Sequence, residues 1–99
     1  MLAMDQLEPV WRARSDVAWT MSGTRYMALP LSRAGAQPLA LDGPAGLIWH
    51  VLNEGAADEP GVVARVAELA DTTADVVEAD VVQFLRELEM LGLAERGQA

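Results

Sequence analysis

The sequence predicts an α+β domain in which three antiparallel strands precede three helices, and three observations carry that reading. β-branched and aromatic residues in short runs dominate the chain before residue 42, whereas apolar residues recur at helical spacing after it. Turn signals at Ser22-Gly23 and over 32–36 leave connections too short for crossover helices, so the strands form an antiparallel meander. Between the two regimes stands Asp42-Gly43-Pro44, a helix-start signature that ends the last strand.

Val17-Ala18-Trp19-Thr20-Met21 is the first strand, and Arg25-Tyr26-Met27-Ala28-Leu29 pairs back on it as a hairpin. Pro30 has no N–H to give a ladder, so the second strand ends or bulges near 29–31. A loop, Ser32-Arg33-Ala34-Gly35-Ala36, leads to the third strand over about 37–41. The first helix is predicted over 43–52, with Asp42 as its cap and Pro44 in its first turn. Asn53-Glu54-Gly55 stops it. Pro60 opens the second helix with Asp58 or Glu59 at its positive end, and Val62, Val63, Val66, Leu69 and Ala70 form its stripe. The third helix, over 74–91, is the most regular: Val77, Val81, Phe84, Leu85, Leu88 and Leu91 share one face, and Gly92 supplies the left-handed stop. Residues 11–14 read as a short extended lead-in and Leu93-Ala94 as a brief extended piece. The organisation is thus a tether over 1–10, one domain over 11–94 and a tail over 95–99. Nothing in the sequence covers the outer edge of the third strand.

Ninety-nine residues with 52% apolar content make one folded domain rather than a disordered chain. No run approaches the roughly 18 to 20 apolar residues that span a bilayer, and MLAMDQLEPV lacks the basic and apolar regions of a secretion signal. With no cysteine there is no disulfide or thiolate site, and the expectation is a cytoplasmic protein with no membrane partner. The net charge of −8 is uneven. Up to residue 41, Arg12, Arg14, Arg25 and Arg33 balance Asp5, Glu8 and Asp16, but beyond it only Arg65, Arg86 and Arg96 face twelve acids. Phosphate backbones would be repelled by this half, so no nucleic-acid partner is expected.

Catalytic constellations are not evident, and neither a cofactor nor a metal is expected. His50, the single histidine, has no cysteine, serine or acid grouping that would make a triad or a metal site. Glu87 and Glu89, two apart, point to different sides of a helix, and Asp71 and Asp75 sit where acids offset a helix dipole. Gly43, Gly46 and Gly55 do not form a phosphate loop. Trp11, Trp19 and Trp49 read as core or sheet-packing residues, with Trp11 the one placed to border a partner surface.

The segment PLALDGPAGLIWHVL, the valine-rich second helix and DVVQFLRELEMLGL over 80–93 together resemble the PqqD-like family. The shared pattern is hydrophobic-Leu-Asp, helix, Gly, helix, then Asp-Val-x-x-Phe-Leu-x-x-Leu-x-x-x-Gly-Leu, over roughly 17–94. The resemblance implies a winged helix-turn-helix-like fold, a three-stranded antiparallel sheet followed by a three-helix bundle. It also implies a non-catalytic recognition element for ribosomally made, post-translationally modified peptides, most similar to the discrete proteins of lasso-peptide pathways or to the small PQQ-pathway protein. In that family the leader of a precursor peptide joins the third strand beside the third helix and is delivered to a leader protease, a cyclase or a radical enzyme. Pro30, the long 32–36 connection and Pro38 depart from the family pattern.

Strand addition exploits the unpaired N–H and C=O groups of a sheet edge. The peptide-binding residues so expected are Pro38, Leu39, Ala40 and Leu41 on the strand and Val77, Glu78, Val81, Phe84 and Leu85 on the helix. Leu39 and Leu41 should face the core or groove, Ala40 should admit a close partner, and Pro38 should interrupt the ladder. Asp75, Glu78 and Glu89 would favour a leader carrying Lys or Arg. Two readings from other classes stand beside this one. A winged-helix DNA-binding domain would need a basic recognition helix, but the third helix offers Arg86 alone against Asp75, Glu78, Asp80, Glu87 and Glu89. A dimerising scaffold would make the chain a homodimer, through the open edge or an apolar patch.

Overall fold

The computed structural model describes residues 9–23 and 25–97. Most of the expected tether, residues 1–8, lies outside the described residues. Among the described residues, three helices and six strands follow the order β1 (Val10–Ala13), β2 (Val17–Ser22), β3 (Arg25–Pro30), β4 (Leu39–Leu41), α1 (Gly43–Glu54), β5 (Ala57–Asp58), α2 (Glu59–Leu69), α3 (Ala74–Met90) and β6 (Ala94–Gly97). The α+β class and the antiparallel meander are as expected: β2, β3 and β4 form one three-stranded sheet in that order. A second three-stranded sheet, ordered β5-β1-β6, was not anticipated.

That second sheet corrects the two ends of the sequence reading. The lead-in is a strand, with Trp11 opposite Ala57 on one side and Arg96 on the other. The brief piece at Leu93-Ala94 continues as β6 through Gly97, so residues 95–97, assigned to a tail, are in register with β1, and so is Val10. Trp11 is sealed at 1% exposure, with the Arg96 guanidinium 5.0 Å from its ring centroid. Arg96 also reaches the Glu89 carboxylate, which ties β6 to α3.

The helices follow their stripes. α2 starts as its sequence dictates, with Asp58 Oδ1 accepting the Gly61 N–H at 2.9 Å and Pro60 in the first turn. α3 ends at Met90, and Gly92 takes the left-handed conformation at φ +82°. Asp42 stands at the cap position of α1 but makes no side-chain cap bond; its carboxylate instead takes Arg25 Nε at 2.7 Å, which pins the end of β4 to the hairpin. One apolar cluster unites the layers, built on Trp11, Trp49, Ile48, Val62, Val81, Leu85, Leu88 and Leu93.

The ladder fixes where each backbone points. The Leu31 N–H donates to the Asp16 carbonyl at 2.9 Å, so bonded and non-bonded pairs alternate from there. The bonded pairs are then Ala18↔Leu29, Thr20↔Met27 and Ser22↔Arg25 on one side of β3, and Ala28↔Leu39 and Tyr26↔Leu41 on the other. Val17, Trp19 and Met21 therefore turn their N–H and C=O groups away from β3, and Ala40 does the same at the opposite edge.

Candidate functional site

β4 is short because both its ends are constrained. Pro38 precedes it, outside the strand, which begins at Leu39 rather than 37. Asp42 closes it, and α1 begins at once. The helix lies so close that a Cβ on Gly46 would stand 2.7 Å from the Leu41 carbonyl oxygen, a backbone atom that has little room to yield. Only glycine allows this approach, and through it α1 sets the position of β4. The loop before β4 rests against the far end of α3: the Arg33 Nε is 2.7 Å from where a Gly92 Cβ would be.

The nine expected site residues divide by burial. Leu39 is half-buried and Leu41 buried, both on the core side, whereas Ala40 is exposed opposite Met27 on the other face of the sheet. Pro38 is exposed. On α3, Val81 and Leu85 are sealed at 1% and 0% exposure. Like Leu41, they offer a ligand no surface. Val77 and Phe84 are half-buried at the margin of the same cluster, and Glu78 is exposed. Leu39, Leu41, Val77, Val81, Phe84 and Leu85 thus join one apolar body, while Pro38, Ala40 and Glu78 stand outside it.

Helical geometry separates Glu78 from its expected neighbours. At about 100° per residue, Val77 and Phe84 lie within about 20° of one another, and Glu78 lies about 100° from Val77. Glu78 shares its flank with Val82 and Glu89, and Glu89 is already held by Arg96 at 3.1 Å. Of the three acids proposed to select a basic leader, Asp75 and Glu78 are exposed and Glu89 is engaged within the fold.

Two features were missed. Trp19, not Trp11, is the tryptophan at the surface: it is 45% exposed, with Met21 at 55% beside it on the core-side face of β2. Its ring packs 5.6 Å from Tyr26 and edge-on to Trp49 at 6.1 Å. The aromatic and sulfur side chains alternate with Ala18 and Thr20, a period-two signal that points to a half-exposed strand. The second feature is a polar chain on α1 and α2. Tyr26 Oη lies 3.0 Å from His50 Nδ1, and His50 Nε2 lies 3.4 Å from Glu54. Arg65 grips the Glu54 carboxylate and meets Glu68 at 2.7 Å, and its hydrogen bond holds the Glu54 carboxyl below its ordinary range. Tyr26, His50, Leu47 and Leu69 line a depression of about 620 Å³ there. Tyr26 and His50 are 24 residues apart, so no local motif announced the pair.

Among the described residues, no helix is long and apolar enough to cross a membrane. No curated protein matches the chain in sequence. Among solved structures, one described as TbiB1 in complex with the TbiA(beta) leader peptide superposes with a TM-score of 0.70 at 24% identity, covering 85% of this chain and 94% of that one. That likeness shows the fold. The family described as coenzyme PQQ synthesis protein D (PqqD) matches residues 31–94, which takes in β4, all three helices and the first residue of β6. The chain belongs to the PqqD family.

Proposed function

We propose that the chain binds the leader segment of a ribosomally made precursor peptide by strand addition to β4 beside α3. It acts without catalysis, in the cytoplasm, and delivers the peptide to a processing enzyme of a modified-peptide pathway such as that of a lasso peptide. Family membership supports this reading, as does a fold shared with a protein whose structure is described as a leader-peptide complex. The observation that carries it is Ala40: the middle residue of an edge strand, with its N–H and C=O turned outward and no partner strand among the described residues.

An added strand gains few backbone bonds here. Ala40 offers one donor and one acceptor, and Pro38 offers a carbonyl alone. At about 0.5–1.5 kcal/mol net for each bond, the ladder sets direction and register, and the apolar margin made by Leu39, Val77 and Phe84 supplies the affinity. The acidic helical half favours a leader with basic residues and disfavours nucleic acid.

A synthetic fluorescent leader, taken from the precursor encoded beside this protein, tests the proposal by anisotropy titration. Ala40→Pro removes the outward N–H without disturbing a bond to β3, a substitution that edge strands tolerate. Affinity should fall at least about tenfold, the equivalent of about 1.4 kcal/mol, with an unchanged circular dichroism spectrum. Equal affinity in wild type and A40P would rule out β4 as the docking strand.

A further inference from the structure

The relative direction of β4 and α3 follows from two contacts. Arg33, in the loop that enters β4, lays its guanidinium beside Gly92, just past the end of α3: a Cβ on Gly92 would stand 2.7 Å from Nε and 3.1 Å from Cζ. At the other end of β4, Leu69, the last residue of α2, lines one depression with Gly43 and Tyr26, and Tyr26 is the partner of Leu41. α3 starts at Ala74, a short turn after Leu69. The C-terminal end of α3 therefore lies by the Leu39 end of β4, its N-terminal end lies by the Leu41 end, and the two run antiparallel. All pairing in this sheet is antiparallel. A leader strand that continues the pattern on β4 runs parallel to α3, with its C-terminal side toward Arg33.

Charge is uneven along that path. Beside the leader's upstream side, Asp75 and Asp80 are exposed on the first turns of α3. At the downstream side stands Arg33. Arg14, Arg25, Arg65 and Arg96 each hold a carboxylate within the fold. The Arg33 guanidinium has no hydrogen bond or ion pair among the described residues, in a chain with 15 acids. Its backbone, by contrast, is committed: the N–H donates to the Pro30 carbonyl at 3.4 Å, and the carbonyl accepts the Ala36 N–H at 3.2 Å. The loop thus fixes the residue and leaves its planar fork of donors open, the arrangement that suits a carboxylate. Arg86 is also without a partner among the described residues, but it lies about 180° around α3 from Val77 and faces away from the apolar margin.

We infer that Arg33 is a specificity residue that sets which way the leader runs: it takes an Asp or Glu carboxylate of the leader on the C-terminal side of the segment paired with β4. The inference rests on the β4 reading and deepens it. A leader bound in reverse would lose this contact and bring the same carboxylate toward Asp75 and Asp80, where like charge repels it. The substrate class is therefore a leader whose acid follows its docking strand.

The test uses the fluorescent leader of the A40P titration, together with versions in which each Asp or Glu is changed in turn to Asn or Gln. R33Q should weaken binding of the unaltered leader about fivefold, and R33E more, with unchanged circular dichroism spectra. One neutralised acid, downstream of the paired segment, should weaken wild type by the same factor and R33Q not at all. That coupling should shrink as salt is raised. R86E, on the far side of α3, should bind as wild type does. If Arg33 serves only the dipole at the end of α3, R33Q will lower Tm and leave affinity unchanged, which overturns the inference. A leader with no acid in its downstream part also overturns it, as does coupling of Arg33 to an acid upstream. Wild-type binding that A40P abolishes and R33Q leaves intact removes this inference alone, whereas a wild type that binds no leader removes the β4 reading and this inference together.

Discussion

The two edges of one sheet differ in what they ask of a partner. β2 exposes the outward groups of three residues, in a strand of six, and its side chains are uncharged. β4 is three residues long, turns out Ala40 alone, and is bracketed by Pro38, which has no N–H, and Asp42, which Arg25 holds. An edge that supplies many backbone bonds accepts any strand of matching shape. An edge that supplies few accepts only a strand whose side chains find pockets as well. If β4 is the docking strand, as proposed, its brevity turns a general hazard of sheet proteins into selectivity.

The largest effect should come from Val81→Asp, which strikes both edges at once. At 1% exposure Val81 touches core, and an unpaired carboxylate there costs several kcal/mol, about 3 or more. The expected outcome is loss of the cooperative thermal transition together with leader binding. Retained folding with lost binding would instead place Val81 in the groove wall.

Next in size is Gly46→Ala, which separates the edges. Its Cβ would meet the Leu41 carbonyl at 2.7 Å, so α1 must retreat from β4. Overpacking of this kind costs about 1–3 kcal/mol. Leader affinity should fall with stability, while the amide NMR shifts of β2, at the other edge, stay as in wild type. A parallel shift of both would show that the sheet moves as one body and that the edges are coupled.

How much of this was legible in the sequence follows the length of the signals. The helices were readable because a stripe such as Val77, Val81, Phe84, Leu85 and Leu88 repeats over several turns, and each repetition rules out the alternatives. The hairpin and the third strand were readable from turns and prolines. The second sheet was not: β5 has two residues, β1 and β6 have four, and β6 reads Ala-Glu-Arg-Gly, a composition typical of a tail. Its pairing buries Trp11 beneath the Arg96 guanidinium, a tertiary cause with no local trace. At the site, periodicity identified the apolar face of α3 but not its depth. It grouped Val81 and Leu85 with Val77 and Phe84, and only packing distinguishes the wall from its support. Asp42 was placed correctly at a helix start, yet Arg25, 17 residues earlier, outcompetes the helix for its carboxylate.

The smallest effect concerns the entry to β2 and is a matter of sign. Asp16 begins the ladder through its carbonyl, and its carboxylate is chelated by Arg14 at 2.8 and 2.9 Å. That hydrogen bond, with a further one from Ser32, holds the Asp16 carboxyl far below its ordinary value of 3.8. A depressed folded-state value means that the ion pair stabilises the fold above the unfolded value and ceases to do so as pH falls through the folded one. Asp16→Asn should therefore lower the melting temperature slightly at pH 7 and pH 5, and the gap from wild type should narrow from about pH 4 downward. The pair is solvent-accessible, so the gap should also shrink in high salt. A gap that widens in acid would mean that Asp16 is protonated in the fold, and that Arg14 anchors β2 through some other partner.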